Sequence, residues 1–163
     1  MNRTTVGGPE LGGGRGAGGV VVLVDPSGAG KSPVAALLAA ELHPSVHLRA
    51  HDFLRVIRRG QLPPHLPEAE RQNVTALAAA AQAAFAYATG GYQVVVECAA
   101  APPALDTFRR ESRATGAALH YAVLHPGPAT GSPHTVDTTD LTPETTTKTL
   151  LAALTNGTHL LGW

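Results

Sequence analysis

The sequence predicts an α/β domain with a mostly parallel five-stranded sheet covered by helices on both faces. Three observations support this. Short apolar runs, Val20-Val21-Val22-Leu23-Val24 and Val94-Val95-Val96 among them, read as strands buried on both sides. They alternate along the chain with helix-forming segments, the order that yields a parallel sheet. Between the first run and the first helical segment lies a glycine-rich loop that includes Gly28-Ala29-Gly30, where the chain passes from strand to helix. With 163 residues there is enough chain for one domain with a real core.

Residues 1–19 are glycine-rich and poor in core-forming side chains, which predicts a disordered leader ahead of a domain over 20–163. Val20 to Val24 form the first strand, and Ala35-Ala36-Leu37-Leu38-Ala39-Ala40 belongs to the first helix. Val46-His47-Leu48 is a short second strand leading into Arg49-Ala50-His51-Asp52-Phe53. A long helix is expected over 68–89, where Val74, Leu77, Ala81, Ala84, Phe85 and Ala88 recur at three- and four-residue spacing until Gly90-Gly91 stop it. The third strand covers 93–97, a polar-faced helix 105–115, and the fourth strand 118–124; Thr135-Val136-Asp137 supplies a fifth. Thr142-Pro143-Glu144 marks a helix start: a capping hydroxyl, a proline at the first helical position and an acid near the positive end of the dipole. That helix runs to about Asn156-Gly157.

Basic and acidic residues balance at 12 each with no basic stripe, which argues against nucleic acid as a partner. No apolar run is long enough to span a membrane, and the N-terminal residues lack the apolar core of a signal peptide. The single Cys98 cannot form an internal disulfide and fits a reducing cytoplasm. It reads as a small apolar filler rather than a nucleophile. His43 and His47 stand four apart, but Pro44 breaks the helix that would align them on zinc.

The chemistry concentrates in the loop. Residues 25–32 match G-x-x-x-x-G-K-[ST], except that Asp25 stands at the first glycine. Backbone amides of Ser27, Gly28, Ala29 and Gly30, with the positive end of the helix dipole, would converge on one anion. Lys31 adds a point charge and the Ser32 hydroxyl can hold Mg²⁺. Only two lysines exist, Lys31 and Lys148, so one placed in this loop is half the supply. Ligands of parallel sheets sit at the carboxyl ends of the strands. That places Asp25, His51, Asp52, Glu97 and His125, with the Cys98 thiol, on the same rim. The ionisable five are the candidate catalytic residues; Ser32 and Asp52 are the candidate Mg²⁺ ligands.

From Val20 to about His125 the chain resembles the small P-loop kinases of the chloramphenicol phosphotransferase, zeta-toxin and polynucleotide-kinase kind, and within that clan a group of bacterial ATP-binding proteins. Beyond the loop the likeness rests on residues 46–53, Arg58-Arg59-Gly60, Arg71-Gln72-Asn73, 90–97 and 119–126, with 137–144 similar to the closing strand and last helix. The resemblance implies a three-layer fold, ATP and Mg²⁺ in the loop, and a hydroxyl-bearing small molecule beside the second strand. It also implies an acid after that strand as general base, and a mobile lid whose arginines meet the transferred phosphate. Lys31 and Ser32 fit this pattern, and Asp52 fits the second acid of the family's Asp-Asp-Phe.

Other positions depart from it. A carboxylate at Asp25 about 5 Å from a phosphate charge would cost about 3 kcal/mol per charge pair at an effective dielectric of about 20. Pro33 replaces the usual threonine, a change the first helical turn tolerates. His51 occupies the base position, where an imidazole is a competent proton acceptor. Glu97 replaces an aspartate, and His125 stands where arginine is common. Between Leu124 and Thr135 only ten residues remain, three of them proline, where the family places a helix, a lid and another helix. A deleted lid removes its arginines, a contribution of about 10³–10⁵ in rate for phosphoryl transfer. Arg55, Arg58, Arg59 and Arg71 are the possible replacements.

Two functional expectations follow. One is a small-molecule phosphotransferase, with ATP on the loop and His51 or Asp52 deprotonating an acceptor hydroxyl. The other is a kinase-derived enzyme that has lost phosphoryl transfer. It would use the Asp25/His51/Asp52/Glu97/His125 rim for elimination, isomerisation or cyclisation, with the loop amides holding an oxyanion. A non-catalytic binding module needs only the loop and a core.

Overall fold

The sheet order is β2-β3-β1-β4-β5, with every neighbouring pair parallel. The strands are β1 (Gly19–Val24), β2 (Ser45–Arg49), β3 (Gln93–Cys98), β4 (Ala118–His125) and β5 (Thr135–Asp137). The helices are α1 (Lys31–Glu41), α2 (Asp52–Arg55), α3 (Glu70–Thr89), α4 (Leu105–Thr115) and α5 (Pro143–Thr155), with one 3-10 turn at Pro67–Ala69. This computed structural model describes residues 8–12, 17–24, 31–98, 105–127 and 132–161, and of Lys31 and Ser32 the main chain alone.

Strand alternation sorts the core into two layers. Val20, Val22, Val24, Val94, Val96 and Leu119 face α3 and α4, where Phe85 and Phe108 fill the space between alanines. Val21, Leu23, Val95, Ala122 and Leu124 face α1 and α5, against Leu38, Leu150 and Leu154. β1 and β3 are buried at every position, which is why their sequences show no polar alternation. Helices on both faces of one parallel sheet make the three-layer fold expected from the alternating pattern.

Two helix ends owe their shape to glycine. Gly91 (φ 96°) and Gly157 (φ 73°) take the left-handed conformation after α3 and α5. In each, one amide reaches back five residues, Tyr92 N–H to the Tyr87 carbonyl (3.1 Å) and Thr158 N–H to the Ala153 carbonyl (3.0 Å). The Gly157 turn sends the chain back along β4, where Leu160 bridges His120 antiparallel. At the start of α5 the Thr142 hydroxyl accepts from the Thr145 amide at 3.1 Å, with Pro143 in the first turn, as the sequence predicts.

Two features differ from the sequence reading. Leu11 is 4 % exposed and packs on the α1/α5 face, so residues 8–12 and 17–19 belong to the folded domain. Its backbone is satisfied by buried side chains: its amide donates to Gln93 Oε1 (2.7 Å), and its carbonyl accepts from His120 Nε2 (2.8 Å). Val74 is 59 % exposed although it follows the helical periodicity. At that end α3 packs against α2 rather than the sheet, and Ala76 and Ala80 take the inward positions.

The expected fifth strand, β5, pairs only with the last three residues of β4, Val123 to His125. The connection therefore returns by two residues, about 7 Å along the strand, rather than by the depth of the sheet. Nine residues (126–134) make this parallel connection; residues 128–131 lie outside the described part. No helix among the described residues is long and apolar enough to cross a membrane.

Candidate functional site

The parallel strands end together at one edge of the sheet. Their register puts Val24 level with Cys98 and Val123, Arg49 level with Glu97, and His125 level with Asp137. α1 begins at the same edge, so its unpaired N-terminal amides open there, at Lys31 and Ser32. The loop residues Asp25, Ser27, Gly28, Ala29 and Gly30, and the side chains of Lys31 and Ser32, lie outside the described part.

Glu97 is the best-defined member of the rim. It shares a sheet face with Leu23 and Val95, the face that α1 covers, and is 5 % exposed. His47 Nε2 lies 2.6 Å from Glu97 Oε1, and Arg49 Nε lies 3.7 Å from the same oxygen. His47 and Arg49 alternate with Val46 and Leu48 on β2, which turns both toward the α1 face. The sequence reading overlooked these two residues as partners of Glu97. The signal available was their period-two spacing on a strand adjacent to β3.

β2 and β3 stay joined to the edge, because the Ala50 amide donates to the Glu97 carbonyl at 2.9 Å. His51 is the next residue; it is exposed, helical in backbone (φ −60°, ψ −30°), and its carbonyl accepts from Leu54 and Arg55 as α2 starts. Asp52 is exposed, with Arg55 Nη1 at 3.8 Å from its carboxylate. Thus His51, Asp52 and Glu97 occupy the β2–β3 half of the edge. His125 lies on the other half, at the end of β4 and exposed. Three strand positions separate β2 from β4, about 14 Å at the usual spacing, so the structure does not bring His51 and His125 together. Cys98 is buried in the α3/α4-facing core with Val24 and Val96.

Beside His125, Asp137 closes the β4–β5 connection. Its Oδ1 accepts from the Thr139 hydroxyl (2.6 Å), the Thr139 amide (2.9 Å) and the Gly127 amide (3.0 Å). The Thr139 hydroxyl, then the two amides, hold its carboxyl below the ordinary aspartate range, with His125 adding to the effect.

Next to His51 and Asp52 a cleft of about 450 Å³ opens between α2 and α3. Phe53, Ile57, Leu62, Ala76 and Ala79 form its apolar walls, and Arg71, Gln72 and Glu68 its polar ones. The segment over it is pinned to α3. Gln72 exchanges hydrogen bonds with the Leu62 amide (2.7 Å) and carbonyl (3.0 Å), and Asn73 Nδ2 donates to the Pro64 carbonyl (2.8 Å). This gives Gln72 and Asn73 a structural task and leaves Arg71 facing the cleft. Among the described residues no group of three His, Cys, Asp or Glu side chains is arranged to hold a metal.

No family model and no curated protein matches the sequence. Solved structures do match. The APS kinase of Mycobacterium tuberculosis superposes with a TM-score of 0.66 over 85% of this chain and 97% of that one, at 16% identity. A gluconokinase from Sinorhizobium meliloti 1021 gives 0.56 over 85% and 92% at 18% identity. The tunicamycin resistance protein of Deinococcus radiodurans gives 0.56 over 89% and 99% at 14% identity. The Mycobacterium tuberculosis enzyme also matches in its complex with AMPPNP and APS, at 0.53 over 66% of this chain and 62% of that one, with 19% identity. At such identities the likeness establishes the fold. The chain shares the α/β fold of these kinase structures, with the strand order 2-3-1-4-5 described above.

Proposed function

We propose that the protein is an ATP-dependent phosphotransferase acting on a hydroxyl-bearing small molecule. The observation that carries this reading is the shared edge. The N-terminus of α1, entered from Gly28-Ala29-Gly30-Lys31-Ser32, opens beside the buried Glu97 and the His51-Asp52 turn. The kinases that share the fold, one of them captured with AMPPNP, support it.

The donor set fits a magnesium nucleotide: helix-end amides and Lys31 for phosphate oxygens, and the Ser32 hydroxyl with the carboxylate of Asp52 or Glu97 for the metal or its waters. Bound Mg·ATP supplies the phosphoryl group and neutralises part of its charge. The chain's own residues do the rest. His47 and Arg49 hold the Glu97 carboxylate in one orientation on the α1 face. His51 or Asp52, in the turn after β2, accepts the proton of the acceptor hydroxyl at its imidazole nitrogen or carboxylate oxygen. The α2–α3 cleft seats the body of the acceptor, its apolar walls favouring a molecule with hydrocarbon or aromatic surface. Arg71, on the cleft wall, is the candidate replacement for lid arginines. The family resemblance implies that the nine-residue connection 126–134 replaces a helix, lid and helix, and slow turnover is then the expectation.

Titration calorimetry with Mg·ATP tests the reading. Wild type is expected to bind at millimolar nucleotide or below, and Lys31→Ala to weaken binding at least tenfold. No heat from wild type would end it.

The short His47–Glu97 contact favours one other reading, acid–base chemistry without phosphoryl transfer. In that case Lys31→Ala would spare turnover of the substrate far more than His51→Ala.

A further inference from the structure

Two segments meet end to end on the outer edge of β4. The Tyr121 amide donates to the His159 carbonyl and the Val123 amide to the His134 carbonyl, both at 2.9 Å. His134 arrives just ahead of parallel β5, His159 on the tail that the Gly157 turn sends back antiparallel. Their rings face each other across the joint, with centroids 6.0 Å apart, and the His134 ring lies 5.8 Å from that of Tyr121. His159 is 2 % exposed. Nδ1 of each ring is buried without a hydrogen-bond partner, and so is Arg109 Nε.

We propose that this joint is an acid-operated clasp, in which protonation of His134 or His159 unseats the 158–161 tail from the edge of β4. The imidazolium of either ring carries an Nδ1–H that has no acceptor here, whereas in the opened form water solvates it. Burial, Arg109 and the neighbouring histidines oppose the charge, and the titratable groups packed around the joint are these. α4 contributes Arg109; β4 contributes Tyr121 and, on its other face, His120; and β3 contributes Cys98 behind Tyr121. Burial, then Arg109, lowers His134; burial, then His134 and His120, lowers His159. Burial also lowers His120, against a raising hydrogen bond to Leu11, and burial followed by Cys98 raises Tyr121, which stays neutral.

The sign follows from these directions. Both histidines hold a proton less readily closed than open, where the ordinary value is about 6.5. The clasp is therefore intact above about pH 6.5 and loosens as the pH falls toward the closed-state values. Each histidine raises the opening constant by up to about tenfold per pH unit within that window.

Hydrogen exchange followed by NMR on the full chain between pH 7.5 and 5.5 tests this. After correction for intrinsic rates, protection of the Tyr121 and Leu161 amides is expected to fall at least tenfold, while Val95 in central β3 changes less than twofold. In H134F/H159F, which keeps ring contacts and removes the titration, the fall is expected to vanish. Imidazole titration in wild type supplies a readout independent of that variant's folding: half-protonation of both rings below about pH 6.5 is expected. Constant protection in wild type, an equal fall in the double variant, or half-protonation at or above the ordinary value would each overturn the proposal.

Discussion

Replacing His47 by alanine removes a 2.6 Å contact to the buried carboxylate of Glu97. Glu97 is 5 % exposed and His47 20 %. A hydrogen bond to a charged group is worth about 1.5–3 kcal/mol. Arg49, 3.7 Å from the same oxygen but 54 % exposed, compensates in part. The expected loss is therefore about 2–3 kcal/mol, a fall of about 5–10 °C in melting temperature for a domain of this size. Arg49→Ala, removing a solvent-screened partner, is expected to cost less than about 1 kcal/mol. Urea unfolding followed by circular dichroism measures both, and a double-mutant cycle with Glu97→Gln isolates the pair, with an expected coupling of at least about 1.5 kcal/mol. Equal losses for H47A and R49A, or additivity in the cycle, would show that the contact does not hold Glu97.

Two further substitutions probe the frame around the site. Phe85, fully buried where α3 meets the sheet, is expected to cost about 3–5 kcal/mol on change to alanine in urea unfolding; a loss under 1.5 kcal/mol would mean that face is loosely packed. Gly157→Ala places a Cβ in open space, so its cost is conformational only, about 1 kcal/mol from the positive φ of 73°. An unchanged or raised melting temperature would refute that account of the turn.

What the sequence made legible was local. Consecutive valines marked β1 and β3 because both faces of those strands are covered, and Thr142-Pro143-Glu144 marked the start of α5 through hydrogen bonding confined to four residues. That the strand ends share one edge followed from the strands being parallel. What escaped was non-local. His47 meets Glu97 across fifty residues of chain, and the contact depends on which strand lies beside β3. Leu11 looked like part of a featureless leader because a single leucine has no periodicity; its burial depends on Gln93 and His120, 82 and 109 residues away. His125 seemed to belong with His51 because both follow strands, yet the strand order sets β1 and β3 between them.

The outer edge of β4 has a consequence for solubility. An eight-residue strand with one bare flank would be a template for sheet growth between molecules. Here that flank is divided between two neighbours of opposite polarity, neither long enough to propagate a ladder in its turn. The chain thus ends its sheet with strand fragments that satisfy the border while offering a second molecule little to extend.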